Sequence, residues 1–107
     1  MERYKVEITE RALRDMEQIY FYIVRELGAP ETALRLFDRL TEAALSLEYF
    51  PARMALVPFE PERSAGLRRL NVERYAIFYL IDDSNVVVTN VLYGRSDIET
   101  RLREGLK

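Results

Sequence analysis

The stretch from Gly66 to Asp97, GLRRLNVERYAIFYLIDDSNVVVTNVLYGRSD, constrains this chain more than any other part. Three apolar runs follow one another there with almost no spare loop, from about Leu67 to Val72, Tyr75 to Ile81 and Val86 to Tyr93. They are rich in Val, Ile, Tyr and Phe, which fit a pleated, half-buried surface. Glu73-Arg74 and Asp82-Asp83-Ser84-Asn85 are of hairpin length, so the region predicts a three-stranded antiparallel meander. Arginines stand at the strand ends, so a site is expected here and the rest of the chain reads as scaffold.

Upstream, Tyr4, Val6 and Ile8 alternate with Lys5 and Glu7, the period of a half-buried strand. That pattern makes the opening MERYKVEI a strand and not a signal peptide. Thr9 is a natural N-cap, with Glu10 where the helix dipole favours an acid. Leu13, Met16, Tyr20, Ile23 and Leu27 then mark an amphipathic helix. Gly28 stops it and Pro30 starts a second helix, whose stripe is Ala33, Phe37, Leu40, Ala44 and Leu47, widened by Leu36 and Ala43. The Gly-Ala-Pro link makes the pair an antiparallel hairpin, closed by Phe50-Pro51. Residues 51–65 hold three of the four prolines and read as an irregular crossover. The tail SDIETRLREGLK opens on a Ser or Asp cap signal and predicts a short, exposed helix. The order predicts one α+β domain over residues 1–107: a strand, a helical hairpin on an antiparallel sheet, then the meander and tail.

Composition narrows the chemistry. The chain has no histidine and no cysteine, which removes Ser-His-Asp and Cys-His nucleophile systems and the common zinc arrangements. The lack of cysteine also fits a reducing, cytoplasmic setting. Only two lysines occur, Lys5 and Lys107. No apolar run approaches the ~18–20 residues of a membrane span, and Asp82-Asp83 reads as a turn rather than a metal loop. Neither cofactor, metal nor membrane is expected. The net charge of −2 is uneven. Residues 1–62 hold 8 basic and 12 acidic side chains, and residues 63–107 hold 8 basic and 6 acidic. That balance is unlike a nonspecific nucleic-acid binder but leaves room for a basic edge on the C-terminal sheet.

The ordered set Tyr4-Lys5-Val6-Glu7-Ile8-Thr9, Ala12-Leu13-Arg14-Asp15-Met16, Phe50-Pro51, Gly66-Leu67-Arg68-Arg69-Leu70-Asn71-Val72, Tyr75-Ala76-Ile77-Phe78-Tyr79-Leu80-Ile81-Asp82 and Val91-Leu92-Tyr93-Gly94-Arg95-Ser96-Asp97 resembles the RelE/ParE superfamily of bacterial toxin–antitoxin toxins. The resemblance covers nearly the whole chain. It implies one of two mechanisms. RelE-like members are ribosome-dependent endoribonucleases that cut messenger RNA, whereas ParE-like members poison DNA gyrase by binding it and hydrolyse nothing themselves.

The positions that carry basic groups in the nuclease branch read Arg69, Asn71, Ala76 and Arg95 here, and the tail position near Arg101 lacks a tyrosine. Two arginines can hold a phosphate but are poor proton shuttles, because they do not give up their charge. If the chain is a nuclease, Arg69 and Arg95 are its expected catalytic pair, and the ribosome with its messenger RNA is its target. Leu67-Arg68 and Leu92-Tyr93-Gly94-Arg95-Ser96-Asp97 fit the ParE-like pattern better, although Ala76 replaces a usual arginine, Tyr93 a usual histidine and Ser96 often a second arginine. The favoured expectation is therefore a ParE-like toxin that inhibits growth, stabilises plasmids and contacts gyrase through Arg68, Arg69, Arg74, Tyr93, Arg95 and Asp97. A cognate antitoxin would neutralise it in a hetero-oligomer. An inactive member that only binds its antitoxin and represses the shared operon is a further alternative.

Other readings of the same residues stand beside these. Arg68, Arg69 and Arg74 can be a solvated strand edge that blocks edge-to-edge pairing. Arg95 can form a salt bridge to Asp97 or to an acid of the first helix. Tyr75 and Tyr79 share a strand face with Ile77 and Ile81, which suits core packing, while Tyr93 suits exposure.

Overall fold

A computed structural model of the chain describes residues 2–104. Its elements are β1 (Lys5–Ile8), α1 (Glu10–Glu26), α2 (Pro30–Leu45), β2 (Arg68–Val72), β3 (Tyr75–Asp82), β4 (Asn85–Tyr93) and α3 (Ile98–Glu104). Short 3-10 turns at Ser46–Glu48 and Pro51–Arg53 follow α2. The fold is the α+β arrangement expected, and the sheet order is β1-β4-β3-β2. The meander is antiparallel, whereas β1 pairs parallel with β4 because the helical hairpin carries the chain across the sheet. Asp82 pairs with Asn85, so the β3–β4 turn is Asp83-Ser84 alone. Glu73 and Asp83 each take a positive φ, as two-residue hairpin turns require.

The Thr9 cap forms as expected, its side chain accepting from the Ala12 N–H at 3.1 Å. The apolar stripe of α1 differs from expectation. Ala12, Met16 and Ile23 are buried, while Leu13 and Leu27 are 44% and 61% exposed. The buried face is turned about one residue towards Ala12, a rotation that helical spacing alone cannot fix. On α2 the expected stripe packs inward, with Leu47 reaching the core from the 3-10 turn.

Both faces of the sheet are covered. The helical hairpin packs on one, where Leu70, Val72, Ile77, Tyr79, Val86, Val88 and Val91 meet Met16, Ile23, Leu36 and Leu40. The other carries a second cluster of Val57, Leu67, Ala76, Phe78, Leu92, Ile98 and Leu102. The crossover supplies Val57, and its backbone runs beside β2, with the Val57 N–H donating to the Leu67 carbonyl at 2.9 Å. α3 supplies Ile98 and Leu102, so the tail helix is docked rather than exposed. Glu62 holds it through Arg103 at 2.9 Å, and Arg11 donates to the carbonyls of Arg101 and Leu102. Residues 105–107 of the tail lie outside the described residues.

Tyr79 ties the helix-side core to the loop after α2. Its fully buried hydroxyl donates to the Pro51 carbonyl at 2.6 Å. Tyr79→Phe leaves that carbonyl without its partner and is expected to cost about 1–2 kcal/mol. Urea unfolding should show a lower midpoint with an unchanged slope. An unchanged midpoint would remove this bond from the account of stability.

Candidate functional site

A basic cup at one end of the sheet

Period two sends neighbouring residues of β2 to opposite faces. Arg68 goes to the helical side with Leu70 and Val72, and Arg69 goes to the other side with Leu67 and Asn71. The guanidinium of Arg68 donates to the carbonyls of Ala52 and Met54, which fastens the loop after α2. Arg69 lies over the ring of its cross-strand partner Phe78, 5.7 Å from the centroid. Its Nε donates to Asn71 Oδ1 at 2.8 Å and its Nη2 to the Gly94 carbonyl at 3.4 Å. Three contacts therefore orient Arg69.

Around it opens a cavity of about 460 Å³ lined by Arg69, Asn71, Glu73, Arg74, Tyr75, Tyr93, Gly94 and Arg95. The β2–β3 turn meets the end of β4 there, and the Gly94 N–H donates to the Arg74 carbonyl at 2.8 Å. A side chain at position 94 would crowd this crossing, since a Cβ would lie 3.1 Å from the Arg74 oxygen and 3.2 Å from Arg69 Nη2. Four of the six expected contact residues, Arg69, Arg74, Tyr93 and Arg95, thus line one cavity. Arg68 does not. Asp97 does not either; it caps α3, accepting from Thr100 Oγ1 at 2.8 Å. No ion pair involves Arg74 or Arg95 among the described residues, so the suggested bridge from Arg95 to Asp97 is not formed.

Among the described residues Glu73 is the one carboxylate lining the cavity, and it faces two arginines of α2. Arg35 Nη1 lies 3.0 Å and Arg39 Nε 3.5 Å from its Oε2. The hydrogen bond from Arg35 holds its pKa below the usual carboxylate range. The cup therefore keeps three guanidiniums against an acid already matched elsewhere.

A second cavity of about 690 Å³ shares Arg74, Tyr75 and Tyr93 and continues along α1 past Asp15, Ile19, Tyr22 and Leu27 to Arg101. The rings of Tyr75 and Tyr93 meet edge to face, 5.8 Å apart. Tyr75 packs against the core yet lines both cavities, so the core role expected for it is only half of its placement. Burial, then the nearby phenols of Tyr93 and Tyr22, raise its pKa. Asp15 accepts the Val91 N–H at 2.9 Å, on the β4 edge beyond the reach of β1. Burial raises its pKa in spite of that bond. The roles of Asp15, Glu73 and Gly94 carried no signal in the sequence beyond residue type, because each depends on a partner distant in the chain.

The positions the nuclease branch uses are differently placed. Arg69, Asn71 and Arg95 line the cup, but Ala76 is fully buried in the second cluster, beneath α3. Among the described residues no group of acidic side chains is arranged to hold a metal ion.

A strand, a helical hairpin and a three-stranded meander with a short C-terminal helix match the RelE/ParE-type toxin fold. The family model described as the ParE toxin of the type II toxin–antitoxin system parDE matches residues 6–98, and the chain belongs to that family. Similar solved structures include the chromosomal ParDE toxin–antitoxin system of P. aeruginosa, at 22% identity and a TM-score of 0.72, covering 87% of this chain and 98% of that one. The toxin–antitoxin complex RelBE2 of Mycobacterium tuberculosis is similar at 26% identity and a TM-score of 0.61, covering 85% and 98%. A mutant of the E. coli toxin RelE in the free state shares the fold at 14% identity and a TM-score of 0.62, covering 98% and 99%. No curated protein sequence matches the chain significantly.

Two measurements test this geometry. Because the pKa of Glu73 is lowered in the folded state, its ion pairs stabilise the fold above the unfolded value of about 4.3. That contribution fades as the pH falls through the folded value. Glu73→Gln should therefore be less stable than the parent at neutral pH and lose less on acidification. A constant difference in melting temperature across that range would show that the pairs contribute nothing. Ala76→Arg places a charge in a sealed apolar cluster and should cost more than about 3 kcal/mol. Amide exchange should accelerate in α3 first, and unchanged protection there would contradict the placement of Ala76.

Proposed function

We propose that this ParE-family toxin inhibits growth by binding a protein target, DNA gyrase, and does not cleave RNA. The observation that carries the reading is the match of residues 6–98 to the ParE toxin model; the burial of Ala76 bears against RNA cleavage alone, since the ParE-like pattern usually has an arginine there too. A residue with no proton to donate, sealed under α3, occupies a position where the nuclease branch uses a basic group. Asn71 supports the same reading, since its amide oxygen holds Arg69 in place instead of supplying charge. General acid–base work needs groups that exchange protons near neutral pH, and the cup offers guanidiniums, phenols and a carboxylate paired with Arg35 and Arg39.

The proposed contact surface consists of Arg69, Arg74, Tyr93 and Arg95. Arg68 and Asp97 act through it indirectly, by fixing the loop after α2 and the start of α3. A cognate antitoxin neutralises the toxin in a hetero-oligomer, a reading supported by the complexes formed by similar toxins. The hairpin and the loop after it leave Phe21, Leu34, Leu45 and Phe50 exposed, and apolar side chains of this size suit burial by such a partner. Binding takes place in the cytoplasm, where gyrase works. No described helix is long and apolar enough to cross a membrane.

Induction of this chain alone should arrest growth and block DNA synthesis before translation. The purified protein should inhibit supercoiling by gyrase at micromolar concentration, and Arg74→Gln with Arg95→Gln should weaken that inhibition about tenfold or more. Cleavage of messenger RNA on ribosomes, lost in Arg95→Ala while supercoiling is untouched, would overturn the reading in favour of a nuclease. Expression without any growth arrest would leave only antitoxin binding and operon repression.

A further inference from the structure

The two cavities adjoin at Arg74, Tyr75 and Tyr93, which line both, and together they make a trough-like surface with different chemistry at its two ends. Arg69, Arg74 and Arg95 line one end, and the only carboxylate lining it among the described residues, Glu73, is already paired with Arg35 and Arg39. At the other end Ile19, Tyr22, Leu27 and Tyr75 give an apolar and aromatic wall, beside the polar Gln18, Ser96 and Arg101. Leu27 is 61% and Tyr22 56% exposed there, beside Ile19 and the ring of Tyr75. Asp15, the carboxylate of that end, is engaged by the Val91 N–H.

We propose that this trough binds a protein segment that carries an acidic side chain next to a bulky apolar one. The carboxylate sits among Arg69, Arg74 and Arg95, and the apolar group lies against Tyr22, Leu27 and Tyr75. The inference rests on the reading of this end of the sheet as a protein-contact surface, and it names the chemistry of what is contacted.

Arg69 is suited to a carboxylate because its Nε and Nη2 are already oriented by Asn71 and Gly94 while Nη1 remains for a ligand. Arg74 and Arg95, in no ion pair among the described residues, keep the paired, parallel donors with which a planar guanidinium matches a carboxylate. A nucleic-acid strand fits less well. Its phosphates repeat and call for a continuous basic track, whereas here Asp15, Ile19, Tyr22 and Leu27 interrupt the basic groups before Arg101. Exposed ion pairs contribute little each, so the aromatic end supplies most of the affinity and the arginines select the partner and its orientation.

The test uses the whole purified chain and fluorescence anisotropy of three labelled probes of equal length. These are a glutamate–leucine peptide, a lysine–leucine peptide and oligoadenylate. The glutamate–leucine peptide should bind, more weakly as salt is raised, and about tenfold less tightly to the Arg74→Gln, Arg95→Gln double variant. Tyr22→Ala should weaken it as well, while Lys5→Gln on the distant β1 should leave it unchanged. Equal binding of the lysine–leucine peptide, indifference to the arginine variants, or preference for oligoadenylate would each overturn the proposal. If no peptide binds a chain that still arrests growth, this inference falls and the toxin reading stands. If the peptide binds through these arginines and the chain never arrests growth, the inference stands and the toxin reading falls.

Discussion

The structure depends on the double burial of β3. Ala76, Ile77, Phe78 and Tyr79 are consecutive, and none has measurable exposure. Consecutive strand residues point to opposite faces, so Ile77 and Tyr79 require one apolar layer and Ala76 and Phe78 require another. An antiparallel meander commonly leaves one face to water, and this one cannot. The helical hairpin covers the first face. A proline-rich crossover and a seven-residue helix cover the second. Once both faces are filled, and part of the outer edge of β2 is paired with the crossover, the open part of this region is its end, where the β2–β3 turn meets the end of β4. The cup lies there for that reason.

The same constraint explains what could be read from the sequence. The strands and their turns were legible because alternation and hairpin length are local signals, and the expected boundaries fall within one residue of the observed ones. The helical hairpin was legible from its caps and period, but the tilt of α1 that exposes Leu13 and Leu27 is set by what it packs against. The second cluster was not legible, because Val57 lies in an irregular segment and Ile98 and Leu102 lie in too short a helix to show a period. Hence the tail read as exposed. For the site, period two separated Arg68 from Arg69 but could not choose between their faces while both faces looked alike. Only the hairpin's position decides that Arg68 fastens a loop and Arg69 faces the cup.

Arginines divide the labour in this protein by what surrounds them. Arg53 and Arg68 donate to backbone carbonyls around the loop after α2, and Arg11 does the same for α3. Arg103 pairs with Glu62, and Arg35 and Arg39 pair with Glu73. Most of these tie a loop or a turn to an element beside it, and Arg11 ties α1 to α3. Arg69 is held by Phe78, Asn71 and Gly94 and also lines the cavity.

That arrangement bears on how a protein of net charge −2 presents a basic surface. Screening limits the reach of exposed charges to roughly 8–10 Å at physiological salt, so acidic side chains of the helices beyond that distance do not cancel the cup. What matters is the local balance, and Glu73 sets it. Turned towards α2, its carboxylate neutralises Arg35 and Arg39 instead of Arg74 and Arg95. Were it turned inward, it would occupy the place of an incoming acid. The salt bridge on the outside of the turn is thus also what keeps the inside of the cup available to a partner.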